Sequence, residues 1–130
     1  MLKKILIVDD EKDVTDFLKM EMEDFCEEMC GSFEIICKNS GYEALGLIMK
    51  GDISLLLTDI AMPDMDGYEL YSRTKELYED LPIIMMTGFG YDPNHVVVKS
   101  RQEGLKDVIF KPFDIDKLMK KIRLRLHLED

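Results

Sequence analysis

The chain has 130 residues, 46% of them hydrophobic, and a formal net charge of −10, which predicts one domain, residues 1–130, able to bury a substantial core without disulfides. Such an acidic balance argues against nucleic acid as a partner of this domain, because phosphate contacts need basic patches, and it suits a divalent cation. No apolar run reaches the roughly 20 residues of a membrane span, and MLKKILIVDDE meets acids too early for a signal peptide, so a soluble cytoplasmic protein without membrane contact is expected.

The first apolar run, KILIV at 4–8, predicts a strand that ends in Asp9, Asp10 and Glu11. After it Val14, Phe17, Leu18, Met22, Phe25 and Met29 recur at helical spacing, with Glu21, Glu23, Asp24, Glu27 and Glu28 as a solvated face. Cys26 and Cys30 on this helix and Cys37 in the second strand, EIIC at 34–37, form an odd set with no CxxC pair and no His nearby. That predicts reduced thiols acting as small hydrophobes, not a metal site. Ala44, Leu45 and Ile48 mark the second helix, and ISLLLT at 53–58 is a third strand running straight into Asp59.

In the loop after Asp59, Met62, Pro63 and Met65 are shaping residues and Asp64 and Asp66 are loop and cap residues, with Asp66 and Gly67 opening a third helix on Leu70, Thr74 and Leu77. The fourth strand is PIIMMT at 82–87. Asp92 and Pro93 read as a helix start with proline first. The β-branched run Val96, Val97 and Val98 weakens that helix, but the alternation of strands and helices favours it. DVIF at 107–110 is the fifth strand, and Asp114 caps a last helix on Ile115, Leu118, Met119, Ile122 and Leu126. Lys120, Lys121, Arg123 and Arg125 lie toward its C-terminus, where cations suit the helix dipole. His95 and His127 read as surface residues, and the scattered methionines as core filler.

Continuous apolar runs in the first, third and fourth strands indicate strands covered on both faces, as in a parallel sheet. Five βα units with right-handed crossovers give a doubly wound α/β fold, whose ligands bind beyond the carboxyl ends of the strands. Those ends carry Asp9, Asp10 and Glu11, then Asp59, then Thr87 and Gly88, then Lys111 and Pro112. Burying unpaired carboxylates costs several kcal/mol, so the acids require a cation. Oxygen donors without His or Cys specify a hard one, Mg²⁺ with Mn²⁺ or Ca²⁺ as alternatives. A lysine and a hydroxyl beside them match the needs of a phosphoryl group, and a carboxylate is a competent nucleophile toward phosphorus.

Taken in this order and spacing, DDE at 9–11, DIAMPDMDG at 59–67, TG at 87–88 and KPF at 111–113 resemble the receiver domain of two-component response regulators, over residues 3–127. The resemblance implies a flavodoxin-like five-stranded parallel sheet of order 2-1-3-4-5, with five helices on both faces. It implies that Asp59 accepts a phosphoryl group from a phosphohistidine of a sensor histidine kinase or a histidine phosphotransfer protein. It also implies that Asp10, Asp59 and the backbone carbonyl of Ala61 ligate Mg²⁺ while Asp9 holds a metal-bound water, that Thr87 and Lys111 contact phosphoryl oxygens, and that the Lys111–Pro112 bond is cis. Gly88 leaves room for the Thr87 donor. Output is expected through the face of helix 4, strand 5 and helix 5, from a monomer or weak dimer that is a signalling module and not an enzyme, though it assists its own phosphorylation and dephosphorylation.

Three departures matter. Val108 stands where receivers commonly carry an aromatic switch, which shifts the expected conformational output to the segment after Thr87 and a marginal fourth helix. Ala61 and Phe89 stand where the family tunes hydrolysis, and neither side chain can hold water, so a long-lived acyl phosphate is expected. TGFGYDPN resembles receivers fused to sensor kinases. The competing readings are an aspartyl-nucleophile phosphohydrolase, which needs an acid where Ala61 stands, and a binding module. The binding module would be an FMN carrier, which lacks its phosphate loop here, or a pseudo-receiver, at odds with an intact Asp59 and Lys111.

Overall fold

The computed structural model describes residues 3–29, 33–88, 92–112 and 114–127. Cys30, Phe89 and Phe113 lie outside them, as do the side chains of 26–29, so the expectations for Cys26, Cys30, Met29 and Phe89 fall outside the described residues. Five strands alternate with five helices: β1 (Lys3–Val8), α1 (Lys12–Met29), β2 (Phe33–Lys38), α2 (Gly41–Met49), β3 (Leu55–Asp59), α3 (Gly67–Leu77), β4 (Ile83–Gly88), α4 (Val96–Gln102), β5 (Asp107–Lys111) and α5 (Ile115–Arg125). The sheet is parallel throughout, in the order β2-β1-β3-β4-β5. No helix of the described residues is long and apolar enough to cross a membrane.

Side chains of a strand alternate between faces, and β1 shows how this sheet divides its core. Leu6 and Val8 join Leu56, Ile83 and Met85 under α2, α3 and α4, whose contributions include Ala44, Ile48, Leu70 and Val96. Ile5 and Ile7 join Leu55, Leu57, Ile84 and Met86 under α1 and α5, which contribute Leu18, Met22, Leu118 and Ile122. All of these strand residues are fully or nearly fully buried, as both faces of a parallel sheet require.

Three expectations need correction. Phe17 and Leu77 are 48% and 46% exposed. On α1 the inward position next to Phe17 is filled by Leu18, and Thr15, which is completely buried, takes the place of a further apolar residue. Leu77 is the last residue of α3, beyond the buried stripe of Leu70, Tyr71 and Thr74. The helix expected to start at Pro93 starts later: Pro93–His95 form a short 3-10 turn and α4 begins at Val96. Asp92 still anchors this entry, its Oδ1 accepting from the Val97 N–H at 2.9 Å. Val96 and Val97 are buried against α3, which is how three β-branched residues persist in a helix.

Two loops are pinned by the expected caps. Asp66 accepts from the Glu69 N–H at 2.8 Å to start α3, and Asp114 from the Lys117 N–H at 3.3 Å to start α5. Asp64 is a cap of a different helix: it accepts from Ser40 Oγ at 2.6 Å and from the Gly41 and Tyr42 N–H groups, fastening the loop after β3 to the start of α2. Partial burial pushes its pKa up, but these hydrogen bonds outweigh that and hold it below the ordinary carboxylate value. Met62 and Met65 turn inward to the core from the same loop. The basic end of α5 is committed too. Arg125 donates twice to the buried Asp107, at 2.5 and 3.2 Å, with Lys121 at 3.5 Å, so these cations serve a buried acid as well as the helix dipole.

Candidate functional site

Register explains why the acids meet. Val8 of β1 pairs with Thr58 of β3, so the next residues, Asp9 and Asp59, end neighbouring strands at the same level. Asp10 comes next in the loop to α1. One carboxylate oxygen from each of Asp9, Asp10 and Asp59 lies within 4.8 Å of the others. Asp9 is fully buried, Asp59 retains 13% side-chain exposure and Asp10 is exposed, which leaves the cluster open on one side.

Lys111 comes from farther away. It ends β5, two strands from Asp59 and so roughly 9–10 Å across the sheet, and Gly88, level with it on β4, presents no side chain between them. The lysine stem spans the gap. Its Nζ donates to Asp9 Oδ2 at 3.3 Å and lies 3.6 Å from Asp59 Oδ1. The Lys111–Pro112 peptide is cis. Burial works to lower the pKa of Lys111, but the charges of Asp59 and Asp9 outweigh it and the ammonium is held above its ordinary value. Asp59 is displaced in the less usual direction: burial, then the charge of Asp9, raise it to about 6 against the opposing pull of Lys111. One lysine does not neutralise three acids, and the oxygen-only donor set fits a hard divalent cation.

Thr87 is the penultimate residue of β4, one residue beyond Met86, which is level with Asp59. It is buried, and its hydroxyl donates to the Gly88 carbonyl at 3.1 Å. Ala61 lies in the loop after β3, where with Asp10 it borders an open depression of about 290 Å³. Val108 is half-buried against the α2, α3 and α4 side of the core, and the aromatic residue of β5, Phe110, is 44% exposed.

One supporting residue escaped the sequence reading. Asn39 comes directly after β2, a strand end to which the sequence assigns no chemistry. Its Nδ2 donates to the backbone carbonyl of Asp9 at 2.8 Å and to Thr15 Oγ1 at 3.1 Å. The Glu11 N–H donates to Asp9 Oδ1 at 2.9 Å. The buried acid is thereby fixed from the backbone and the side chain, ready to face Lys111. An amide just past an apolar run at the same sheet edge was the available signal.

A parallel sheet of this order, with acids on adjacent central strand ends and a lysine reaching over from the edge strand, defines a receiver-like doubly wound α/β fold. The chain belongs to the response regulator receiver domain family, whose profile matches residues 5–123. It is 34% identical over 126 residues to the transcriptional regulatory protein SrrA of Staphylococcus aureus, covering 97% of this chain and 48% of that protein. The chain thus spans about half the length of the curated relatives it matches. Among solved structures it is similar to a CheY-like response regulator receiver domain protein from Methanospirillum hungatei (32% identity, TM-score 0.84, 98% of this chain and 95% of that one). It is also similar to a response regulator from Chloroflexus aurantiacus (29% identity, TM-score 0.82, 98% and 99%).

Proposed function

We propose that this receiver domain, residues 1–130, takes a phosphoryl group onto Asp59 from the phosphohistidine of a sensor histidine kinase or histidine phosphotransfer protein. An Asp59 carboxylate oxygen forms the new bond to phosphorus. The phosphorus–nitrogen bond to the donor imidazole breaks, and the departing nitrogen keeps the electron pair and takes up a proton. The observation that carries this reading is the contact of one ammonium, Lys111 Nζ, with both Asp9 and Asp59 beside a three-carboxylate cluster.

In this reading Asp10, Asp59 and the carbonyl of Ala61 would hold Mg²⁺ or Mn²⁺, with Asp9 orienting a water beside them, and the ion would neutralise charge on the phosphoryl oxygens. Lys111 exchanges its contact with Asp59 for one with a phosphoryl oxygen, which keeps the ammonium paired once Asp59 is an acyl phosphate. Thr87 turns its hydroxyl from the Gly88 carbonyl to another phosphoryl oxygen. The domain is read as a cytoplasmic signalling module, a monomer or weak dimer, without nucleic-acid or membrane contacts of its own. It assists its own phosphorylation and dephosphorylation and signals through α4, β5 and α5. A phosphohydrolase is disfavoured because Ala61 supplies no general acid in the position such enzymes use.

The test is incubation with acetyl phosphate and Mg²⁺ followed by intact mass, wild type against Asp59→Asn. One added phosphoryl group in the wild type alone supports the proposal. A gain in both, or in neither, refutes it.

A further inference from the structure

Asn94 sits in a backbone arrangement that most residues avoid. It has φ 58° and ψ 21°, and His95 after it has φ 56° and ψ 39°. Two successive non-glycine residues in the left-handed region carry an energetic cost, offset here by Asp92, whose backbone carbonyl accepts from His95 N–H and whose side chain accepts from Val97 N–H. The outcome is a specific placement. Asn94 borders the depression of about 290 Å³ that opens beside the acids, together with Asp10, Ala61, Met62, Asp66 and Val96. Among the described residues that line it, Asn94 is the one uncharged polar side chain.

In a phosphoryl transfer the attacking and departing atoms lie in line on opposite sides of phosphorus, so the leaving group must sit on the open side of Asp59. The depression reaches the acid cluster through Asp10, one of whose carboxylate oxygens lies within 4.8 Å of one from Asp59. Its walls from Ala61, Met62 and Val96 are apolar and suit the face of a flat ring. Of the other acceptors lining it, Asp10 is taken by the cation in this reading and Asp66 Oδ1 by the Glu69 N–H, whereas the Asn94 side-chain carbonyl is an acceptor with no such assignment. We propose that Asn94 is a specificity-determining residue for the phosphodonor: its side-chain carbonyl accepts from the ring N–H of a departing imidazole, favouring nitrogen-linked donors over acyl phosphates, which have no such group. This inference rests on the phosphoacceptor reading of Asp59.

Glycine adopts the left-handed region freely, so Asn94→Gly removes the side chain without disturbing the turn. Asn94→Asp also tolerates this conformation and keeps the acceptor oxygen. The measurement is the ratio of phosphorylation rate constants with monophosphoimidazole and with acetyl phosphate in Mg²⁺, which cancels any general effect on Asp59. Asn94→Gly is expected to lower that ratio about ten-fold, the usual effect of one lost hydrogen bond, and Asn94→Asp to restore most of it. An unchanged ratio in Asn94→Gly, or a ratio that falls as far in Asn94→Asp, overturns the proposal. A wild type that accepts phosphoryl from neither donor overturns the reading of Asp59 itself, and the two failures are told apart by that control.

Discussion

Gly67 faces the backbone of Asp59 so closely that a Cβ on it would lie 2.9 Å from the Asp59 carbonyl oxygen and 2.9 Å from Ile60 Cα. The start of α3 is thus pressed against the turn that carries the phosphoacceptor, with the Gly67 N–H donating to the Ile60 carbonyl at 2.9 Å. Gly67→Ala cannot be absorbed by a flexible side chain, because both obstructing atoms belong to the backbone. We expect a loss of about 1–3 kcal/mol from this overpacking, seen as a lower denaturation midpoint, and a slower phosphorylation of Asp59 because the loop must shift. Unchanged stability and rate would contradict this account of the turn.

The raised pKa of Asp59 makes a statement about stability. In the folded chain without a divalent cation the carboxyl titrates near 6, against 3.8 for the ordinary group. The folded state therefore holds this proton more tightly than the unfolded chain, and stability falls as pH rises from about 4 to about 6. Above that window the cost stays, at about 3 kcal/mol for a two-unit shift before allowing for the coupling to Lys111. Asp59→Asn abolishes the ionisation, so at pH 7 without divalent cation the variant should be more stable than the wild type by about 1–3 kcal/mol. The difference should vanish by pH 4 and shrink when Mg²⁺ is added, because only the wild type gains from the ion. Urea titrations at pH 4 and 7, with and without Mg²⁺, read all three effects.

Arg125 and Asp107 lie at the opposite end of the sheet, where β5 begins. Asp107 is 5% exposed, and Arg125 grips both of its oxygens. Removing the arginine alone leaves a buried carboxylate whose remaining cationic partner among the described residues is Lys121 at 3.5 Å. Arg125→Met should cost about 2–4 kcal/mol, and the double variant with Asp107→Asn should recover at least half of it, since the amide is neutral. Phosphorylation of Asp59 should be unaffected in either. A double-mutant cycle on chemical denaturation gives the coupling.

The strand and helix alternation, both core faces and the converging acids were legible because each depends on a short-range pattern: continuous apolar runs, helical stripes, and the residue types just past the end of each run; the strand order followed only from the resemblance to receiver domains. The features that escaped depend on tertiary geometry. Nothing in Asp107 or Arg125 announces that they face each other across 18 residues, and Asp64 gives no sign that it crosses to cap α2. Asn39 escaped because its partners are a backbone carbonyl and a buried threonine. Asn94 and His95 escaped because left-handed backbone is adopted one residue at a time under constraint from Asp92, and no periodicity encodes it.

The sequence of α4, with its run of β-branched residues, argues against its helical conformation. The helix has seven residues, begins with three valines, and its N-cap residue, His95, accepts no helix N–H with its side chain, leaving Asp92 as the side chain that accepts from the Val97 N–H. It is held by the burial of Val96 and Val97, together with a lateral clamp at its C-terminal end. The Tyr68 hydroxyl donates to the Glu103 carboxylate, the Tyr71 hydroxyl donates to the Glu103 carbonyl at 3.3 Å, and the Lys99 ammonium stands 5.6 Å from the centre of the Tyr68 ring. Val108 offers no ring to carry a signal from Thr87 along β5, so the segment between Thr87 and α4 is the route left for it. If so, binding a phosphoryl analogue such as beryllofluoride with Mg²⁺ should change amide exchange across 96–103 by several-fold while β1 and β3 stay protected. Tyr68→Phe should accelerate exchange in that helix without analogue, because it removes one end of the clamp and leaves the core intact. Equal and strong protection of 96–103 in all three states would mean that α4 is a fixed part of the scaffold and that output leaves the site elsewhere.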